Sequence, residues 1–338
     1  MIGFDPPASL VEMIESSSPG AEVVATPYEE SEELRSARGR HGGRNPDGLP
    51  MPEIDEETRA VWQRANVAIA MDLPDGLDEL MPNLEWIQSI TAGYEKYDLE
   101  ALDAQGVRLT NASGLGAASI AEFVMARLLQ VYKNLRRFDA QQADHVWSGE
   151  FGTELTGRTL GIAGLGSIGR EVARRARAFD MTVLATRASA RPGDRDPAVD
   201  ELLPATELDA MLARCDVVVS TLPSNSTTID LFDAERFAAM PEGAVFINVG
   251  RGAHVVEADL VAALESGRLR AAALDVTRIE PLPADDPLWD APNVHISPHS
   301  SVSLDRYIGN LEALMADNVR LFLDGEPMRN EIDVSSGG

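Results

Sequence analysis

Cysteine is almost missing from this 338-residue chain. The single Cys215 cannot close an internal disulfide, and its place before the apolar run Val217–Val219 assigns it to a core. Lysine is nearly as scarce. Only Lys96 and Lys133 occur among 29 basic residues, so arginine supplies almost all of the positive charge against 55 acidic residues. The formal charge of −26 repels nucleic acid backbones and anionic membrane surfaces, which excludes both as expected partners. No apolar run is long enough to span a bilayer, and no basic N-terminal segment precedes an apolar one. A soluble, cytoplasmic protein is expected. Excess carboxylate with scarce lysine is also the pattern of a halophilic protein, because at roughly 1 M salt a Debye length of about 3 Å screens the self-repulsion. There is no internal repeat, and no metal site is assigned.

What the chain does have is a dense stretch from Thr159 to Arg187. Thr159 to Ala163 reads as a short apolar strand. Gly164, Gly166 and Gly169 follow in G-x-G-x-x-G spacing. Ile168, Val172, Ala173 and Ala176 then share one face of a helix. Met181 to Thr186 reads as a second strand, completing a βαβ unit. In that context Gly164 permits the tight turn and Gly166 lets the backbone approach a pyrophosphate. Gly169 allows close helix–strand packing, and the helix N-terminus offers free N–H groups. A dinucleotide site is expected here. The residue at the end of the second strand would be Asp or Glu in a site that reads a ribose 2′-hydroxyl. This chain has Arg187, with Ser189 and Arg191 close behind. A cation pairs with a 2′-phosphate instead, so NADP(H) is expected to be preferred, with NAD(H) possible.

The length suggests two domains. In the first, strands are expected at Val23–Thr26, Val67–Met71, Glu85–Ile90 and Val107–Asn111, with a helix through Leu10 and Ile14. The polar, proline-containing stretch from Glu29 to Asp55 reads as an exposed loop or insertion. A long helix opens near Ala117 and continues past Leu135. His145 and Trp147, just beyond, read as packing residues. Strands at Val217–Thr221, Val245–Val249, Ala271–Val276 and Val294–Ser297 then alternate with helices at Glu207–Ala213 and Ala258–Glu265. That alternation predicts an α/β fold with a doubly wound parallel sheet. A last helix runs from about Leu304 to Leu323.

Three strand ends carry special residues. Arg251 lies between Gly250 and Gly252, Glu280 follows Leu274-Asp275-Val276, and His299 follows Ser297-Pro298. Ligands bind outside the carboxyl edge of such a sheet. An Arg, a Glu and a His at one edge form an acid–base set, in which Glu280 beside His299 favours the imidazolium.

These residues carry a resemblance. The chain resembles the D-isomer-specific 2-hydroxyacid dehydrogenases through T-L-G-I-A-G-L-G-S-I-G, F-I-N-V-G-R-G, A-L-D-V with E-P-L-P, P-L-W-D-A-P-N-V and S-P-H-S. The likeness is strongest from Leu155 to Ser300, weaker from Leu84 to Leu129 and nearly absent before residue 60. It implies that Arg251, Glu280 and His299 are the catalytic trio, with His299 as general acid in 2-oxoacid reduction and base in reverse. It implies a carboxylate-binding turn at Thr91-Ala92-Gly93, through the N–H groups of Ala92 and Gly93, with Arg251 and His299 also touching substrate. Ser167 and Ile168 would give N–H groups to the pyrophosphate. Leu222, Pro223 and Thr227 would line the cofactor groove, and Val249 and Asp275 would hold the nicotinamide carboxamide. His254 departs from the family pattern and reads as structural or solvent-facing.

The resemblance further implies two Rossmann-like domains: a discontinuous substrate domain, 1–112 plus 299–338, and a dinucleotide-binding domain, 113–298. The active site would lie in the interdomain cleft. A homodimer is implied through the Ala117 helix and the arm around Trp147. The reaction would be reduction of a small 2-oxoacid to the D-2-hydroxyacid, and Tyr94 and Leu115 suggest an aliphatic or branched substrate. Two alternatives stay open: a non-catalytic dinucleotide sensor on the same fold, and a glyoxylate/hydroxypyruvate reductase or phosphoglycerate dehydrogenase-like enzyme.

Overall fold

A computed structural model describes residues 1–45 and 48–336. The chain divides into two compact units, Met1–Leu115 with Leu304–Gly338, and Gly116–Ser303. These divisions lie a few residues beyond 112/113 and 298/299, so His299 falls inside the second unit.

The first unit is built on strands β1 (Val67–Ala70), β2 (Trp86–Ser89) and β3 (Arg108–Thr110), which pair in parallel, and the late strand β11 (Glu331–Ile332), which joins β3 antiparallel. Its sheet is therefore mixed at one edge. Residues Val23–Thr26 do not form a strand. Ala25 makes a single parallel bridge to Ile2, which also bridges Ile69. Helix Leu304–Leu323 belongs to this unit and buries Met315, Ala316 and Val319 in the same cluster as Ile2, Leu10, Ile14 and Trp86.

The stretch expected to be an exposed loop holds a helix, Glu32–Arg40. Ser31 caps it by accepting from Leu34 N–H at 3.2 Å, Glu32 and Glu33 occupy its first turn, and Arg38 and Arg40 its last, as the helix dipole favours. Its mean hydropathy is too low for an apolar stripe to betray it. What packs is polar: Arg38 is 2% exposed, paired with Glu30 at 3.0 Å and donating to Gly43 O at 2.6 Å. Residues 46 and 47 of that expected loop lie outside the described residues.

The second unit carries seven parallel strands: β4 (Thr159–Ala163), β5 (Thr182–Arg187), β6 (Glu201–Pro204), β7 (Val217–Ser220), β8 (Ala244–Asn248), β9 (Leu269–Leu274) and β10 (Val294–Ile296). Their order is β10-β9-β8-β7-β4-β5-β6. The chain reverses direction across the sheet between β4 and β7, the switch point where such sheets open a crevice. Fully buried strands such as Val217–Ser220 read as continuous apolar runs because helices cover both faces. One face packs Val124, Leu128, Val172 and Ala176, the other Leu212, Phe237, Phe246 and Leu260. Cys215 is buried, its sulfur against Gly161 of β4, where an added Cβ would come within 2.6 Å.

Two further expectations are corrected. The long helix spans Ala117–Tyr132 and does not continue past Leu135; Asn134 adopts φ 56° and a separate helix, Leu135–Ala143, begins. Neither His145 nor Trp147 packs: His145 is exposed and Trp147 is 99% exposed. No helix among the described residues is long and apolar enough to cross a membrane.

Candidate active site

The glycine loop joins β4 to helix Ser167–Arg177. Gly164 sits at φ 99°, where an L side chain is strained, and Thr221 Oγ1 donates to its carbonyl at 2.6 Å. A Cβ on Gly169 would meet Gly164 O at 2.7 Å, so this glycine is what lets the helix close onto the loop. Gly166 faces open space, and no side chain among the described residues caps the helix. The first-turn N–H groups, those of Ser167 and Ile168 included, lack intrahelical acceptors. An open backbone under an uncapped helix N-terminus fits a pyrophosphate.

At the end of β5, Arg187 Nη1 lies 3.3 Å from Asp196 Oδ2. Asp196 is also gripped by both terminal nitrogens of Arg170, at 2.7 and 2.6 Å, and these arginines hold its carboxyl below the usual range, with Arg170 the larger cause. Arg187 Nε is buried without a partner among the described residues. An orphaned guanidinium nitrogen at this position fits a 2′-phosphate oxygen. Ser189, two residues on, is exposed. The reading of the sequence missed Arg170 and Asp196, because nothing in the spacing links helix, strand and the loop at Asp196.

The strand ends of β7, β8, β9 and β10 form one braced edge. Asn248 closes the loop after β8: its side chain accepts from Gly250 N–H at 3.0 Å and donates to Arg251 O at 2.8 Å. Gly252 presses on the next loop so tightly that an added Cβ would lie 1.9 Å from Thr277 O. Arg251 Nη1 donates to Gly250 O at 2.8 Å. His254 is fully buried rather than solvent-facing. Its Nδ1 accepts from Arg251 N–H at 3.4 Å, which puts the ring proton on Nε2, 3.1 Å from Pro223 O. His254 thus ties the Arg251 loop to the Leu222-Pro223 segment. Thr227, nearby, bonds to Asn225 Oδ1 through N–H and hydroxyl, at 2.9 and 2.7 Å.

Glu280 and His299 meet: His299 Nδ1 and Glu280 Oε2 are 2.9 Å apart, and Glu280 Oε1 accepts from Thr277 N–H at 3.0 Å. The hydrogen bond to Glu280 raises the His299 pKa against burial, which lowers it. Burial opposes ionisation of Glu280, yet the bond and charge of His299, with the Thr277 N–H, hold its pKa below the ordinary value. His299 takes φ 50°, uncommon for a residue with a side chain. Asp275 holds it there. The Asp275 carbonyl accepts from His299 N–H at 2.8 Å, and its carboxylate accepts from Ser297 Oγ at 2.7 Å, Ser300 N–H at 3.0 Å, Ser301 N–H at 3.2 Å and Ser301 Oγ. The carboxylate expected to hold a carboxamide is thus engaged in shaping the histidine loop. Val249, the other expected carboxamide contact, is buried at the end of β8, its N–H donating to Ser220 O at 3.1 Å.

In the first unit the turn after β2 is held by its carbonyls. Asn111 Nδ2 donates to Ala92 O at 2.6 Å and Thr91 Oγ1 to Gly93 O at 2.9 Å. Across the trans peptide, the Gly93 N–H points away from the Ala92 carbonyl. Asn111 escaped the reading of the sequence; only its place at the end of a strand hinted at it.

Residues 125–301 match the family model of the D-isomer specific 2-hydroxyacid dehydrogenase NAD binding domain. Glyoxylate/hydroxypyruvate reductase B of Escherichia fergusonii is 36% identical over 268 residues, covering 76% of this chain and 80% of that one. A D-isomer specific 2-hydroxyacid dehydrogenase family protein from Aeromonas salmonicida superposes with a TM-score of 0.72 at 35% identity, covering 82% of this chain and 88% of its own. An NADPH-dependent glyoxylate/hydroxypyruvate reductase from Sinorhizobium meliloti, in complex with NADP and sulfate, gives a TM-score of 0.74 at 26% identity, covering 100% and 98%. The chain belongs to the D-isomer-specific 2-hydroxyacid dehydrogenases, NAD(P)-dependent oxidoreductases that act on a CH–OH group.

Proposed function

We propose that this protein reduces a short 2-oxoacid, glyoxylate or hydroxypyruvate, to the 2-hydroxyacid, of D configuration where C2 is chiral, with NADPH preferred over NADH. The observation that carries the reading is the His299–Glu280 pair, 2.9 Å apart on a loop at the carboxyl edge of the seven-stranded sheet. Its Nδ1 faces Glu280, so Nε2 is the proton donor to the 2-oxo oxygen during reduction and the acceptor in reverse. Arg251 polarises the oxo group and pairs with the carboxylate, while the Ala92 and Gly93 N–H groups bind that carboxylate. Ser167, Ile168 and the three loop glycines hold the pyrophosphate, and Leu222, Pro223, Thr227 and Val249 line the nicotinamide side. When bound, the nicotinamide cofactor supplies the hydride.

The names of the relatives support the short substrates over the aliphatic or branched acids that Tyr94 and Leu115 suggested. Arg187 supports NADPH, with Ser189 beside it. We assign the first unit as the substrate domain, the second as the dinucleotide domain, the assembly as a homodimer and the compartment as the cytoplasm.

The test is initial-rate reduction of glyoxylate, hydroxypyruvate, pyruvate and a branched 2-oxoacid, with NADPH and NADH compared in molar salt. Turnover of the first two, faster with NADPH, is expected. Tight cofactor binding without turnover of any acid would reject the enzyme reading in favour of a sensor.

A further inference from the structure

Two lysines survive in a chain that otherwise uses arginine for its positive charge. Lys133 follows a helix end. Lys96 does something different. It lies three residues beyond the Thr91–Gly93 turn, in the loop that leaves the carboxyl end of β2. Tyr97, 5% exposed, clamps that loop to the neighbouring strand end: its hydroxyl donates to Ala70 O at 3.3 Å and Met71 O at 3.2 Å. Lys96 is thereby held beside the carboxyl end of β1, at the edge at which parallel sheets take ligands.

Its charge is weakly matched there. The Lys96 side chain is 13% exposed, and its partner is Asp72 Oδ1 at 3.5 Å. Asp72 is committed elsewhere. Its Oδ2 takes Arg35 Nε at 2.9 Å, Arg35 Nη2 at 2.8 Å and Glu30 N–H at 3.2 Å. Glu30 in turn is spoken for by Arg38 at 3.0 Å. An ammonium has three donors; among the described residues this one makes one long hydrogen bond, to Asp72, and lies 5.7 Å from the centroid of the Tyr97 ring. Burial accordingly pulls its pKa below the ordinary value, against the attraction of Asp72. A compact point charge with spare donors, close in the chain to a carboxylate-binding turn, suits a single oxygen acceptor better than a planar guanidinium does.

We propose that Lys96 is a specificity residue that reads the substituent on C3 of the substrate, donating to the hydroxyl oxygen of hydroxypyruvate. This rests on the 2-oxoacid reductase reading above and names which end of the substrate the first unit selects. Pyruvate presents a methyl group at that position and leaves the ammonium unpaired. Glyoxylate has no C3 and is indifferent to it. A site built to hydrogen-bond a hydroxyl discriminates against the analogue lacking it, because its buried polar group is then left unmatched.

The experiment measures kcat/KM for hydroxypyruvate, pyruvate and glyoxylate with NADPH, in the wild type, Lys96→Met and Lys96→Gln. Asp72 keeps Arg35 in both variants, and cofactor fluorescence on binding reports that each is folded. In Lys96→Met the hydroxypyruvate-to-pyruvate ratio is expected to fall by about tenfold or more, as loss of a charged hydrogen bond implies. Lys96→Gln, which keeps a neutral donor, should fall between. A ratio equal to that of the wild type in both variants overturns the assignment, whatever the absolute rates. Equal losses of kcat/KM for all three substrates leave that ratio at the wild-type value and likewise overturn it, since the effect is then global. If the wild type reduces neither glyoxylate nor hydroxypyruvate, the reductase reading itself fails, and this assignment with it.

Discussion

At the scale of single residues, the His299 imidazole keeps its proton to higher pH than an ordinary histidine because Glu280 accepts from it at 2.9 Å. The sign for 2-oxoacid reduction follows directly. The reaction needs the imidazolium, so the rate falls as pH rises through the His299 pKa, which Glu280 raises. Glu280→Gln removes that support. Its kcat for reduction should drop about tenfold or more, and the falling limb of the pH–rate profile should move to lower pH. A limb that stays where it was would reject the pairing as functional. Arg187 gives a second expectation. Arg187→Ala removes the guanidinium but leaves Asp196 paired with Arg170, so the fold has no reason to suffer. KM for NADPH should rise about tenfold more than KM for NADH, the size of one charged hydrogen bond. Equal effects on both cofactors would remove Arg187 as the phosphate reader. Both residues were visible in the chain as types at strand ends. Their partners were not equally so: Glu280 is close enough in sequence to be paired by reasoning, whereas Asp196 sits in a loop with no periodicity to announce it.

At the scale of elements, legibility tracked the source of each element's stability. The βαβ unit at Thr159–Arg187 declares itself because glycine spacing, strand and apolar helix face follow one another within a single local motif. Helix Glu32–Arg40 does not, since its packing is an ion pair under a cap rather than an apolar stripe. That difference is measurable. Arg38→Ala leaves Glu30 buried without its cation and should cost about 3–5 kcal/mol of unfolding free energy. Ser31→Ala should cost about 1 kcal/mol through the lost cap. Denaturant titration of both variants decides it: an Arg38→Ala change within about 0.5 kcal/mol would mean the helix is a surface ornament. The break at Asn134 belongs to the same scale. A run of helix formers on both sides hid a left-handed residue that only the backbone reveals.

At the scale of the whole molecule, the net charge of −26 sets the solution behaviour. Self-repulsion acts over about 10 Å at 0.1 M salt and about 3 Å at 1 M, so stability should climb as salt is added. The thermal midpoint measured from low to molar KCl tests this, and a flat line would dismiss the halophilic character. The arm after helix Leu135–Ala143 carries Trp147 at 99% and Phe151 at 91% exposure, side chains that water does not favour leaving bare. If the arm closes a dimer, Trp147→Asp should sediment at half the wild-type mass; an unchanged mass would place the interface elsewhere.

The fold class, the glycine loop and the types of residue at the strand ends are legible along the chain, because each is written in neighbouring residues or in their period. It takes the packed chain to see that Asp196 lies between Arg170 and Arg187, that Asp275 shapes the loop of His299, that His254 ties two loops together and that Lys96 pairs with Asp72. These are meetings of residues far apart in the chain or on irregular loops. Their register is set by how strands and helices pack, and packing leaves no local pattern to read.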